Sequence, residues 1–350
     1  MRPGRQGAAL NTQRRNSTVH TRAIYAFWRW WSTEGVDHLS SAVTTGEYRN
    51  LPDTLDAMVK AIGPGLSWET GPGIHSRHRL CVSGGGDPGL RVLAERWQRA
   101  APPPTPMWEF AAARQPQPGM LAVTLEVAGE SIDLSLSRAS VTLDKERARA
   151  HVRLHHPAFT RLTPGHRHQL ASLLLDWVLG EDNVQRWIGT ISAAETAPPD
   201  SLPVTALPEI IEAMTARHAH IGWTLKDAGT SSGPRTIIRA LRPLRWIDHP
   251  LLDLHTAIHV DYPQTRPDGL PDYDEAIDLH RLEEDLAAAL GPRGMLVATQ
   301  TSEGRRTLHY YTDSEDQNGR DIIDRFAETR LHTEVTHTYD PGWTLINPLT

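Results

Sequence analysis

The chain has 350 residues, 39% of them hydrophobic, a formal net charge of -6 and one cysteine, Cys81. That length suits two domains, each able to bury a core of its own. A single cysteine excludes an internal disulfide and a cysteine-built zinc site within one chain. No run approaches the ~20 apolar residues of a membrane span, so no membrane is involved and a cytoplasmic protein is expected.

The first 22 residues carry Arg2, Arg5, Arg14, Arg15 and Arg22 without an acid. They lack the apolar centre of a signal peptide and read as a disordered basic tail. A transit-type or nucleic-acid-binding tail is the sharper alternative. Lys60, Lys145 and Lys226 are the chain's three lysines beside many arginines, a bias that suggests a GC-rich bacterial genome.

Residues 23–196 are expected to form an N-terminal α+β domain. Ile24–Trp31 is a dense aromatic helix start, read as a core anchor because aromatic rings bury large areas; a ligand cage is the alternative. Helices follow near Val36–Thr44 and Leu51–Ile62, then strands near Leu66–Thr70 and His78–Ser83. The turn Ser83-Gly84-Gly85-Gly86-Asp87-Pro88 invites a phosphate-loop reading. No Gly-Lys-Ser/Thr follows, however, and Asp87 as cap with Pro88 at the first helical position explains it without a ligand.

Strands are predicted at Met107–Ala112, Leu121–Val127, Ile132–Leu136, Val141–Leu143 and Ala148–Leu154. The last carries Arg147, Arg149, His151, Arg153 and His155 on one face, read as a charged edge that resists aggregation or a contact for phosphate or an acidic surface. A helix over Gln169–Gly180 and a strand over Trp187–Ser192 close the domain. Residues 197–217 read as a proline-rich linker and a connecting helix, Leu207–Arg217.

Residues 218–350 form the C-terminal domain. Strands Gly222–Lys226 and Thr236–Leu241 flank a mobile turn at Thr230-Ser231-Ser232-Gly233. From Leu254 to Tyr262, apolar or β-branched residues take every second position, with His255, Ala257, His259 and Asp261 between them. Such alternation marks a half-buried strand. Asp272 caps a helix with the stripe Leu279, Leu282, Leu286 and Leu290, which Gly291-Pro292 ends. A hairpin, Met295–Thr301 and Arg305–Thr312, turns at Ser302-Glu303-Gly304. A second helix, opened by Ser314 and Gln317, carries Ile322, Ile323 and Phe326, and Leu331–Tyr339 is the last strand. The order βαββαβ is the ferredoxin-like arrangement. The fold class is therefore α+β, with two domains.

From Leu251 onward nineteen acids face eight arginines, a balance of -11. Such a module repels a phosphate backbone, so nucleic acid is disfavoured and a basic protein partner suits it. The bland alternative is two solvated helix faces.

Motifs of catalysis are absent: no G-x-S-x-G, H-E-x-x-H, Walker A or kinase set occurs. His255 and His259 share a strand face, but four residues separate them by ~13 Å, too far for one zinc. A metal would need Asp253, Asp261, His309 or His332 from neighbouring strands. His151, His155, His156, His166 and His168 cluster in sequence beside a proline-glycine turn. Surface histidine is the simpler reading of both sets, and no cofactor and no catalytic residue is assigned.

The stretch Thr307-Leu308-His309-Tyr310-Tyr311-Thr312 and the ending Asp340-Pro341-Gly342-Trp343 resemble the bacterial domain of unknown function 695. The resemblance implies a ferredoxin-like fold similar to that of the regulator of RNase E activity, type B. Residues Phe27–Trp31, Ser83–Asp87, Ala101-Pro102 with Trp108, and Leu179-Gly180-Glu181 resemble the segment that often precedes this domain. The chain departs from the pattern at Thr344-Leu345-Ile346-Asn347, where relatives usually carry an aromatic residue. A regulatory role would be carried over by fold analogy.

Two functions are expected to compete. One is a non-enzymatic protein-binding or regulatory module that uses its acidic helices or the open sheet face of Asp253, His255, His259, Asp261, His309 and Trp343. The other is a metal-dependent enzyme on the same His/Asp face. An RNA-binding variant of the fold lacks the Arg/Lys-Gly-aromatic signature.

Overall fold

The computed structural model describes residues 18–228, 234–330 and 332–349. Helices and sheets mix throughout, and the chain divides after Ala219 into two compact units.

The first unit opens on helix α1 (residues 18–30), which runs through a π-turn at Trp31–Gly35 into α2 (Val36–Thr45). Residues 18–22, expected as the end of a disordered tail, are helical, and His20 Nδ1 lies 2.6 Å from the Ile62 carbonyl. Residues 1–17 lie outside the described residues. Two separate helices were expected here; the π-turn joins them into one. The aromatic run is a core anchor: Trp28 stacks on Trp97 at 4.8 Å and Trp31 meets Trp108 edge-on at 5.4 Å. Trp28 Nε1 donates to the Trp97 carbonyl at 2.8 Å, so the polar edge of the buried indole is satisfied.

Helix α3 (Leu51–Ile62), strands β1 (Ser67–Pro72) and β2 (His78–Ser83), helix α4 (Pro88–Arg99) and strand β3 (Trp108–Ala111) complete this half. The sheet order is β1-β2-β3, with β3 parallel to β2. Asp87 caps α4 by accepting the Leu90 N–H at 2.9 Å, and Pro88 takes the first helical position. The glycine turn holds an anion of the protein's own. Gly86 N–H donates to Glu181 Oε1 at 2.9 Å, while the Ser83 hydroxyl and Arg114 N–H donate to Oε2 at 2.6 and 3.1 Å.

Strands β4 (Thr124–Val127) and β5 (Glu130–Asp133) pair as a hairpin. Both are shorter than expected because 3-10 turns take Pro118–Ala122 and Leu134–Leu136. Then come β6 (Arg138–Asp144), β7 (Arg149–His155), helices α5 (Pro164–Leu179) and α6 (Glu181–Trp187), β8 (Ile188–Ala194), β9 (Leu202–Pro203) and α7 (Leu207–Arg217). The sheet order is β8-β7-β6-β9.

Two expectations change here. The basic strand, β7, is no edge: β6 and β8 pair with it on either side. Arg149 donates to the Gln185 and Arg186 carbonyls and His151 accepts the Thr190 N–H, while Arg153 is exposed. The stretch read as a linker and connecting helix is built into the first unit. Its β9 pairs with β6, and Leu207, Ile211 and Met214 of α7 enter the core that holds Leu154, Phe159 and Leu174.

The second unit holds β10 (Gly222–Asp227), β11 (Ile237–Arg242), β12 (Leu254–Asp261), α8 (Tyr273–Leu290), β13 (Gly294–Ser302), β14 (Arg305–Thr312), α9 (Gln317–Glu328) and β15 (Thr333–Tyr339). The turn at Thr230–Gly233 lies outside the described residues. One antiparallel sheet runs β10-β11-β13-β14-β12-β15. Glu303 and Gly304 both have positive φ, 49° and 76°, the geometry of a two-residue hairpin turn.

Helices α8 and α9 cover one face through Leu279, Leu282, Leu286, Leu290 and Ile323, against Ile258, Val260, Leu308 and Tyr310 of the sheet. Asp272 caps α8 by accepting the Glu275 N–H at 2.9 Å. The cap of α9 is Asp316, not Ser314 as expected. Ser314 is engaged elsewhere: its N–H and hydroxyl both donate to the Asp253 carboxylate, at 2.7 and 2.9 Å.

Candidate functional site

The period of two along β12 sends Leu254, Thr256, Ile258 and Val260 to the helix side and leaves His255, Ala257, His259 and Asp261 for the opposite face. Register then decides their neighbours. On β14, Tyr311 stands opposite His255, His309 opposite Ala257, Thr307 opposite His259 and Arg305 opposite Asp261.

The structure brings together one pair of the expected site residues. His255 Nε2 and His309 Nδ1 lie 3.0 Å apart, one donating and one accepting, with the rings stacked at 5.3 Å. They are diagonal neighbours across the strand pair, within reach of long side chains. Burial pushes the His255 imidazole down to about 4 and the His309 imidazole to about 3, each deepened by its histidine neighbours. Both are neutral near pH 7. His309 Nε2 is buried and finds no hydrogen-bond partner among the described residues.

The other four are placed apart. His259 Nδ1 meets the Thr307 hydroxyl at 2.9 Å, and burial with the Arg305 charge lowers its pKa. Asp261 forms a two-pronged ion pair with Arg305, at 2.5 and 3.2 Å, which holds its carboxyl below the usual range. Asp253 is fully buried and braces Ser314. Trp343 is 3% exposed.

The face expected to be open is thus closed at one end. Trp343 stacks on Tyr311 at 4.4 Å and on His249 at 5.9 Å, and its Nε1 donates to the Leu252 carbonyl at 2.6 Å. Val297, Ile346, Leu244, Trp246, Leu252 and Leu349 pack with this pair into a second core. Burying that aromatic area is the physical reason the segment between β11 and β12 and the segment after β15 fold over it. Asp340 secures the lid: it accepts the Tyr311 hydroxyl at 2.6 Å and caps the following turn through Thr344 and Leu345. Those bonds to the charged form hold the Asp340 carboxyl low even though its burial opposes them.

Two further polar arrangements lie beyond what the sequence reading found. Asp324 Oδ1, His337 and Thr256 form a chain with contacts of 2.9 and 2.8 Å. The acid–imidazole–hydroxyl order is that of an activated nucleophile. Thr256, however, is 0% exposed on the helix side of the sheet, so its hydroxyl meets no substrate and the chain pins β15 to β12 and α9. On the same side Glu283 of α8, itself buried, receives Arg239 at 2.5 Å and Arg306 at 3.0 Å. Neither set has a local sequence signal, because each depends on strand pairing between distant segments.

Among the described residues no three His, Cys, Asp or Glu side chains converge as a metal would require. His332 is exposed in the turn immediately before β15. His151, His155 and His156 each bond the backbone, at Thr190, Ala194 and Ala158, rather than one another. No helix among the described residues is long and apolar enough to cross a membrane.

One charged surface exposed on this unit is the solvent side of α8. Its sequence holds six acids and one arginine, and Asp274, Asp278, Glu284 and Asp285 are exposed. Three of the four carry weak surface contacts only, to Arg281 at 3.3 Å, His280 at 3.5 Å and Arg330 at 3.7 Å.

Residues 244–347 match the model of a family described as a family of unknown function (DUF695). No curated protein and no solved structure matches the chain.

Proposed function

We propose that the second unit is a protein-binding module of ferredoxin-like fold that docks a basic partner on the outer face of α8, in a cytosolic bacterial protein. The exposed row Asp274, Asp278, Glu284 and Asp285 carries this reading. It lies in a region whose balance of -11 favours positively charged partners over a phosphate backbone. The ferredoxin-like reading is supported by strand order: the four strands of the βαββαβ run lie second, third, first, fourth across the sheet. The regulator-type role is consistent with a site that presents charge and shape rather than a reactive group.

The test uses the full chain as bait in lysate of the native bacterium, with and without nuclease. The wild type should retain a protein in both conditions at low salt, and a variant with Asp274→Asn, Asp278→Asn, Glu284→Gln and Asp285→Asn should not. Equal retention by both baits would rule out α8 as the docking face.

A metal-dependent enzyme on the His/Asp face is the second reading, favoured by one observation: the His255–His309 contact leaves His309 Nε2 without a partner. Zinc or manganese added to the purified protein would then bind stoichiometrically, and binding would be lost in His309→Gln. Binding that survives the substitution would exclude this pair.

A further inference from the structure

A cleft of about 490 Å³ lies in the first unit, between the α1–α2 helix and the loop that leads into α3. That volume falls within the ~300–1,000 Å³ typical of small-molecule sites. Trp30, Glu34, His38, Ser41 and Thr45 line one wall, spaced by four, four, three and four residues, which sets them along one helix face. Tyr48, Arg49 and Asn50 supply the other.

The cleft is built rather than incidental. Its aromatic floor is the half-buried ring of Trp30, which lies so close over Gly35 that a Cβ there would sit 2.7 Å from the indole. The π-turn at Trp31–Gly35 follows this ring directly, and buried Phe27 braces it edge-on at 5.8 Å, so its position is fixed from the core side. Such turns concentrate at functional sites. Across the cleft the chain turns through left-handed residues, Gly46 at φ 77° and Arg49 at φ 47°. A non-glycine residue in that region costs free energy and is retained where surrounding structure demands it.

Charge narrows the ligand class. The lining holds two carboxylates, Glu34 and Glu47, against the single guanidinium of Arg49. Glu47 is matched to Arg49 at 3.7 Å, which leaves the Glu34 carboxylate without a partner among the described residues. An anion would meet net repulsion, and a neutral apolar ligand would desolvate Glu34 and His38 without return. A cation gains from both an aromatic face and a carboxylate.

We propose that this cleft binds a small organic ammonium ion, its charged head against the rings of Trp30 and Tyr48 and Glu34 supplying the counter-charge. The site is independent of the second unit's docking face.

The test titrates the full-length protein with choline, with spermidine and with the neutral carbon isostere of choline, followed by calorimetry and tryptophan fluorescence. At least one of the two cations should bind saturably at one site per chain, and the neutral isostere should not. Glu34→Gln should weaken that binding about tenfold, in line with loss of one close charge beside a cation–π contact. Trp30→Leu should abolish it. Because Trp30 also touches the core, the exposed Glu34 is the deciding position, with a thermal melt to show that Glu34→Gln folds as the wild type does. No saturable binding of either cation, equal binding of the neutral isostere, or unchanged affinity in Glu34→Gln would each overturn the proposal.

Discussion

His255 Nε2 and His309 Nδ1 join in one hydrogen bond of 3.0 Å on the sheet face away from the helices, one ring donating and the other accepting. Burial holds His255 near 4 and His309 near 3, against 6.5 for a free imidazole. Below pH 6.5 the unfolded chain therefore binds protons that the folded pair refuses. Stability from this pair is complete above that pH and falls as the pH drops toward 4. Thermal melts between those limits should show a steeper decline for the wild type than for a His255→Gln/His309→Gln variant. Parallel curves would show that the pair does not titrate as described.

Tyr311 and Asp340 fasten the chain end over the sheet. Burial, and then the adjacent Asp340 carboxylate, raise the Tyr311 hydroxyl pKa far above its ordinary value, so it stays a donor. Tyr311→Phe should cost about 1.5–3 kcal/mol, the usual worth of a hydrogen bond to a charged group. Trp343→Ala removes the stacked ring as well and should cost about 3–5 kcal/mol. Denaturant melts at neutral pH read both. A loss under about 0.5 kcal/mol, the scale of ordinary surface substitutions, would mean that this lid contributes little.

Glu181 plays the part a phosphate would play at the glycine turn. Glu181→Ala strands the Gly86 and Arg114 N–H groups and the Ser83 hydroxyl, at a cost of at least about 3 kcal/mol. Sulfate should recover part of the lost melting temperature in that variant and leave the wild type unmoved. A wild type stabilised equally by sulfate would reinstate an external anion site.

Local pattern made much of the architecture legible. Alternation from Leu254 to Tyr262 gave a strand, the stripe Leu279–Leu290 behind Asp272 gave a helix, and Ser302-Glu303-Gly304 gave a tight hairpin. What escaped depends on partners distant in sequence. Ser314 has the look of a helix cap, yet Asp253, sixty-one residues away, takes both its donors. His255 and His259 read as the polar side of a half-exposed strand, but the stacking of Trp343 on Tyr311 covers the His255 end. Register across β12 and β14 put His309 beside His255 and Arg305 beside Asp261, and no periodicity within either strand encodes that pairing. The π-turn at Trp31–Gly35 likewise has no counterpart in the spacing of the residues around it.

Docking on the outer face of α8 is tested most directly by the affinity of the retained partner. It is measured for the wild type and for the Asp274→Asn/Asp278→Asn/Glu284→Gln/Asp285→Asn variant, each at low and at physiological salt. The variant should bind at least about tenfold more weakly and lose most of its salt dependence, as expected when complementary charge steers and holds a complex. Identical affinity and identical salt dependence in the two proteins would contradict an acidic docking face on α8.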